Sequence, residues 1–263
     1  YSFDTAGPLA RTVRDAARLF DVVAGHDKLD PTSHNRPTDS CETACGTDVA
    51  GLRVGIPRPY FYDETAPEVA DAIAAATRTL EGIGATIVPV DVPSHDQINL
   101  IWAAALAAEA ATIHRKWLRD RPDDYGALVR RRIEFELYQP ATRYIEALTL
   151  RDGIVRDYCN MAFANCNVLL TPGTPITAPL LSDVDVGDSG NMPALVLLLS
   201  RCTRPISYLG LPAISVPCGF TETGLPVGLQ LVGHWFGEAA LLGVADAYEQ
   251  ATLWHTMLPP DID

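Results

Sequence analysis

Several residues in this chain have the types that do chemistry. Gly187-Asp-Ser-Gly190 has the composition found around a serine-protease nucleophile. Such a serine needs a histidine base and an acid to orient that base. No histidine here sits in the matching apolar context. The flanking run, Asp183-Val-Asp-Val-Gly-Asp-Ser-Gly-Asn191, is acidic and reads as a solvated loop. The nucleophile elbow G-x-S-x-G is absent. So are the phosphate-binding patterns G-x-x-x-x-G-K-[ST] and G-x-G-x-x-G. None of the six histidines pairs with another at i, i+4. His26, His34 and His95 stand in polar stretches and are expected at the surface, whereas His234 follows an apolar run and is the one nearer a site. Of the six cysteines, Cys41 and Cys45 are four apart with no second pair, so no zinc site is expected. Most of the others lie in apolar runs and read as reduced core thiols.

Two further features point to binding rather than catalysis. Thr171-Pro-Gly-Thr-Pro175 follows a short apolar run. Ligands of open α/β sheets sit beyond the carboxyl ends of strands, so this turn is either a pocket edge or simply a rigid stop. Arg151 and Arg156 fall on a long helical segment, and an arginine fork can hold a carboxylate through two hydrogen bonds. Arg151 shares a stripe with Tyr144, Leu148, Val155 and Tyr158, which makes it the better candidate of the two. A solvated face or a salt bridge is the alternative.

The elements that must position these residues are readable. Thr12 caps a helix to Val23, with Asp15 completing a capping box. Residues 26–50 are polar and form a surface loop. Strands follow at 52–56 and 85–90, with a helix from Pro67 to Gly82 between them. That order predicts a parallel pair with a right-handed crossover. Helices are expected at 97–118, 123–137 and 141–165, and a buried strand at 168–170. A polar loop at 181–191 precedes a helix at 192–203. Strands at 213–217 and 227–232 flank the turn Thr221-Glu-Thr-Gly224 as a hairpin. An amphipathic helix closes the series at 238–252. Strands alternating with helices give an α/β layered fold with a mixed sheet.

The 263 residues, 48% hydrophobic, are enough for one substantial core. The formal charge of −13 would repel a phosphate backbone, so no nucleic-acid partner is expected. No apolar run reaches the roughly 18 residues of a membrane helix, and no leader is visible. A cytoplasmic protein without a cofactor or a metal is the expectation.

Four stretches together resemble the amidase-signature family. The first is Ser2-Phe-Asp-Thr-Ala-Gly-Pro-Leu-Ala-Arg-Thr-Val-Arg-Asp15, with Leu19–Asp27 and Asp30-Pro-Thr-Ser33 behind it. The second is Gly51-Leu-Arg-Val-Gly-Ile-Pro57. The third is Val168-Leu-Leu-Thr-Pro-Gly-Thr-Pro-Ile-Thr-Ala-Pro179. The fourth is Leu209-Gly-Leu-Pro-Ala-Ile-Ser-Val-Pro-Cys-Gly219, followed by Gly224-Leu-Pro-Val-Gly-Leu-Gln-Leu-Val-Gly233 and Ala247-Tyr-Glu-Gln-Ala251.

The resemblance implies an α/β/α sandwich around a large mixed sheet. It implies cleavage of carboxamide C–N bonds by a Ser–cis-Ser–Lys triad, with backbone N–H groups stabilising the oxyanion. The family's triad lies N-terminal to the position of Ser2, and no Gly-Gly-Ser-Ser run occurs in this sequence. Lys28 and Lys116 are the only lysines, both in polar surroundings, whereas a base lysine needs burial or a neighbouring cation. No catalytic residue is therefore assigned. Residues 1–263 read as the C-terminal portion of a single amidase domain, with the catalytic portion elsewhere.

By the same resemblance Thr203, Arg204 and Ser207 approach the substrate, with Thr174, Arg151 and Tyr144 as weaker candidates. The expected partners are a small amide and the N-terminal half of the same enzyme, and a homodimer is also open to the chain. The activity expected is hydrolysis of a small linear carboxamide to carboxylate and ammonia. One alternative is the glutaminase component of a tRNA-dependent amidotransferase. In those glutaminases an acid helps bind the amino group of glutamine, and Ser200 stands at about that position here. A non-catalytic scaffold of amidase descent is the other alternative.

Overall fold

The sheet begins where β-branched and apolar residues cluster. The computed structural model describes residues 2–3, 5–184 and 192–258. The five strands among them are β1 (Arg53–Arg58), β2 (Thr86–Asp91), β3 (Val168–Pro172), β4 (Ala213–Phe220) and β5 (Pro226–Gly233). They lie in the order β2-β1-β3-β5-β4. β1 runs parallel to β2 and β3, and β5 runs antiparallel to β3 and β4. The sheet is mixed, as the sequence predicts, and every residue of central β3 is buried.

Side chains alternate between the two faces of a strand, so each face gathers its own layer. On one side Leu169 and Val232 pack with residues of α4 (His95–Asp120), α6 (Ala141–Ala162) and α9 (Arg204–Leu209). On the other, Val168, Leu170, Leu229 and Leu231 pack against α1 (Val13–Val23), α3 (Pro67–Gly82) and α10 (Glu238–Gln250). Helices on both faces make an α/β/α sandwich. α2 (Cys41–Ala44) docks against α1 and α10, and α5 (Ala127–Glu136) packs on α4. α7 (Leu181–Val184) and α8 (Met192–Leu199) complete the described helices.

Local chemistry explains several boundaries. Pro67 opens α3 at the first helical turn, where its missing N–H has no partner to lose. Thr12 caps α1 by accepting from the Asp15 N–H at 3.1 Å. The reciprocal arm differs from a standard capping box: the Thr12 hydroxyl donates to the Asp15 carboxylate at 2.9 Å. Val13, whose N–H opens the helix, is held from outside by Glu249 of α10, through both carboxylate oxygens at 3.1 and 3.0 Å.

The structure corrects the sequence reading in places. The 26–50 loop contains α2, whose cap is the Ser40 hydroxyl. The polar stretch at 181–191 begins with α7, and its Gly187–Gly190 motif lies outside the described residues. The single helix expected at 192–203 is instead α8, a turn, and then α9. α10 is buried on nearly all sides rather than amphipathic, because α1 and α2 cover the flank that faces away from the sheet. His95, expected at the surface, is only 2% exposed. It is stacked on the Tyr60 ring at 4.1 Å and edged by Phe61 and Tyr158. Its flanks, Ser94 and Asp96, are polar because they start α4, while the imidazole itself points into an aromatic box.

No helix among the described residues is long and apolar enough to cross a membrane.

Candidate functional site

The carboxyl end of β3 opens onto a polar row. Antiparallel register sets Thr171 opposite Gln230, and Gln230 opposite Ser215. These three side chains therefore cross β3, β5 and β4 on the face that carries Leu169 and Val232. Thr171 and Gln230 are buried, and Ser215 is exposed. The Gln230 amide Nε2 donates to Thr171 Oγ1 at 2.9 Å and to the Cys202 carbonyl at 3.2 Å. The Thr171 hydroxyl in turn donates to the Pro172 carbonyl at 3.1 Å.

Glycines keep the next step of this shelf flat. The Gly173 N–H donates to the Gly228 carbonyl at 2.9 Å. A β-carbon at Gly173 would lie 3.1 Å from that oxygen, and one at Gly228 would lie 3.0 Å from Ser215 Oγ. Both contacts are tight; the one at Gly173 is with fixed backbone and favours glycine there, whereas the Ser215 hydroxyl can turn aside. Thr174 stands exposed past the shelf, its hydroxyl bound to the Ile176 carbonyl at 2.8 Å.

The α8–α9 turn lies alongside and is heavily tied. Arg201 donates from Nε and Nη2 to the Tyr60 carbonyl at 3.2 and 3.0 Å, and its Nη1 pairs with Glu64 at 2.7 Å. Cys202 is fully buried, and desolvation pushes its thiol up to about 12, so it is no nucleophile. Thr203 is exposed at the start of α9 and donates to the Ser200 carbonyl at 3.4 Å. Arg204 donates to the Leu197 carbonyl at 3.0 Å and holds its guanidinium 5.4 Å from the Trp102 ring centre. Arg204 Nε and Trp102 Nε1 are occluded, with no hydrogen-bond partner among the described residues. Ser200 donates to the Val196 carbonyl at 2.7 Å.

The remaining candidates converge on Phe3. Ser207 donates to the Phe3 carbonyl at 3.3 Å. Arg151 lies 4.7 Å over the Phe3 ring, and its Nε and Nη2 both donate to the Tyr208 carbonyl at 3.1 and 3.0 Å. In this structure its fork caps the end of α9. Tyr144 is half-buried in the same layer, and its phenol is pushed up by desolvation and by neighbouring Glu109. Glu109 accepts from the Ser2 N–H at 2.8 Å and from the Ser2 hydroxyl at 2.6 Å. Thr203, Arg204 and Ser207 are thus collected on α9. Arg151 and Tyr144 hold the chain entry beside that helix, and Thr174 stands apart on the β3 loop.

Sequence reasoning missed Gln230 and Ser215, and met Thr171 only as the first residue of the strand-ending turn. The available signal was Gln230 itself, an amide inside the apolar run Val227–Val232, since a buried polar group must find partners. Of the histidines, exposed His234 meets the Phe163 ring edge-on, and His95 is held down to about 4 by burial and then by Arg201. Lys28 is exposed, and Lys116, 75% exposed, pairs with Asp120 at 2.7 Å. A separate surface hollow of about 260 Å³ lies under the 32–39 loop, between α1 and the start of α10. It belongs to the opposite layer, and its lining mixes Arg36 and His34 with Asp39 and Glu238, so we place the site on the shelf instead.

A family model described as Amidase matches residues 1–242. The A subunit of the glutamyl-tRNA(Gln) amidotransferase from Chloroflexus aggregans is 39% identical over 98% of this chain and 56% of its own length. An amidase of Pseudomonas putida is 37% identical over 98% of this chain and 55% of its own. The crystal structure of a bacterial aryl acylamidase of the amidase-signature family superposes with a TM-score of 0.77. At 24% identity, covering 95% of this chain and 53% of that one, it supports the shared fold. The chain spans about half the length of the curated relatives it matches.

Proposed function

This chain belongs to the amidase family, and from that premise we propose that it forms the acyl-side wall and scaffold of an amidohydrolase acting on a small linear carboxamide. The reaction adds water across the C–N bond and releases carboxylate and ammonia. The reactive serines and lysine come from polypeptide preceding Ser2, as the resemblance implies. Both lysines within these residues are exposed, and Lys116 is paired with Asp120, whereas a base lysine requires burial.

What carries the reading is the open shelf: the row Thr171–Gln230–Ser215, flanked by α9 and ending at exposed Ser215, in a chain about half as long as its relatives. Thr203 and Arg204 are the side chains of this wall that face the substrate, Ser207 sets the position of α9, and Thr174 marks the far rim. Arg151 and Tyr144 hold the wall in place. The test is ammonia release from a panel of aliphatic and aromatic amides by the enzyme that includes the preceding portion. Arg204→Ala should raise KM severalfold for the accepted amide. An unchanged KM across the whole panel would remove Arg204 from the wall.

The similarity to the glutaminase component of tRNA-dependent amidotransferases supports a second reading, a partner-dependent glutaminase. Ser200 stands about where those proteins place an acid, which favours the simple amidase. Glutamine hydrolysis that appears only when other polypeptides of such a complex are added would reverse that order.

A further inference from the structure

Among the described residues, Gln230 is the polar side chain that links the sheet to the α8–α9 turn through the floor of the shelf. It is 5% exposed, yet its amide nitrogen reaches two separate segments: Thr171 Oγ1 at 2.9 Å on β3 and the Cys202 carbonyl at 3.2 Å in the turn. Cys202 directly precedes Thr203, and Arg204 opens α9 one residue later. A turn in this place has an apolar alternative. The sequence through 192–203 is apolar enough to form one helix up to Pro205, which stands in the first turn of α9. The hydrogen bond donated by the Gln230 amide on β5 holds the Cys202 carbonyl toward the sheet. On the other flank, Arg201 fixes the same turn to the Tyr60 carbonyl at 3.0 Å. The turn is therefore pinned from two sides, and of these two ties it is Gln230 that connects it to the strands that make the shelf.

We propose that Gln230 is a positioning residue: its amide sets the register between the β3–β5 shelf and the Thr203–Arg204 corner, and so determines how the amide's acyl group is held. The inference rests on the amidase reading above. Gln230 does not touch the reacting atoms. It acts through the Cys202 carbonyl, so its loss weakens ground-state binding and leaves the chemical step nearly intact.

The test uses the enzyme with its preceding portion. Gln230→Met keeps the length and removes both donors. Gln230→Asn keeps an amide but draws it back by one methylene from both acceptors. For both, KM for the accepted amide should rise about fivefold or more, the factor expected for losing one ordinary hydrogen bond. The kcat per titrated active site should stay within about threefold.

Amide hydrogen exchange supplies a readout independent of activity. Residues 200–207 should exchange faster in Gln230→Asn than in a variant equally destabilised at a distant core site, such as Leu80→Ala. Should Gln230→Met fail to fold, Gln230→Asn decides the matter. KM and local exchange matching the Leu80→Ala control would overturn the proposal. If the unsubstituted enzyme hydrolyses no amide, the functional reading falls, while the exchange comparison still judges the role of Gln230.

Discussion

Arg151 shows how a residue with the right chemistry can be committed to structure. Its guanidinium converges two hydrogen bonds on one carbonyl, that of Tyr208, while its face covers the Phe3 ring. A lysine has the charge but lacks the planar fork. Arg151→Lys should therefore cost about 1–2 kcal/mol in urea unfolding and leave the substrate profile unchanged. A shift in profile without a loss of stability would return Arg151 to the binding surface. His95 carries a pH dependence of its own. Burial holds its imidazole down to about 4 from an ordinary 6.5, with Arg201 adding to the effect. The unfolded chain takes up the proton first, so this stability is fully present above about pH 6.5 and is lost as the pH falls toward 4. Roughly 3 kcal/mol is at stake. His95→Phe should flatten the unfolding midpoint between about pH 4 and 6.5, and a slope unchanged by the substitution would disprove this assignment. Both residues were visible in the sequence as types. Their environments were not, because a stripe or a polar flank says nothing about which carbonyl or ring arrives from a distant segment.

At the scale of elements, α1 depends on α10. The buried Val13 N–H has Glu249 as its acceptor, and Asp246, fully buried, binds Arg14 at 2.8 Å and the Gly46 N–H at 2.7 Å. Burial raises the Glu249 carboxyl despite the Val13 bonds. A carboxyl raised in the fold contributes less as pH climbs through its folded value, so the charge itself is not what holds α1. Glu249→Gln should therefore be tolerated at neutral pH. Glu249→Ala, which orphans Val13, should cost about 1–2 kcal/mol by chemical denaturation; equal losses for the two would show that charge decides. Elements of this kind were largely legible. Pro67 marked the start of α3, Gly224 marked the hairpin between β4 and β5, and Thr12 marked α1. The division between α8 and α9 had one local signal, Pro205 in the first turn of α9; the ties of Gln230 and Arg201 to that turn come from distant segments and were not legible. Helical periodicity carries no trace of a tertiary tie. The same limit hid the shelf: its row exists only through strand register, which pairs residues 171, 215 and 230.

For the molecule as a whole, the decisive feature is what the sheet leaves uncovered. β4 closes the strand order on one side, with Ala213, Ser215 and Phe220 exposed. This edge strand of eight residues carries no charged side chain, and Pro217 with the bulge beside it is what interrupts its free edge. Leu9 at 97% exposure, Leu181 at 85% and Leu253 at 75% are further apolar side chains left in solvent. Relatives that carry about as much chain again have the material to cover both. Residues 1–263 produced alone should therefore associate or aggregate, and should unfold without a sharp transition. Co-expression with the preceding portion should give a soluble, cooperatively unfolding species in which the β4 amides are protected from exchange. The β4 edge is the discriminating observable. Protection there in the complex but not in the isolated chain would locate the junction. A monomeric chain that unfolds in one sharp step with β4 already protected would mean these residues close their own fold, and the shelf would then need a different explanation.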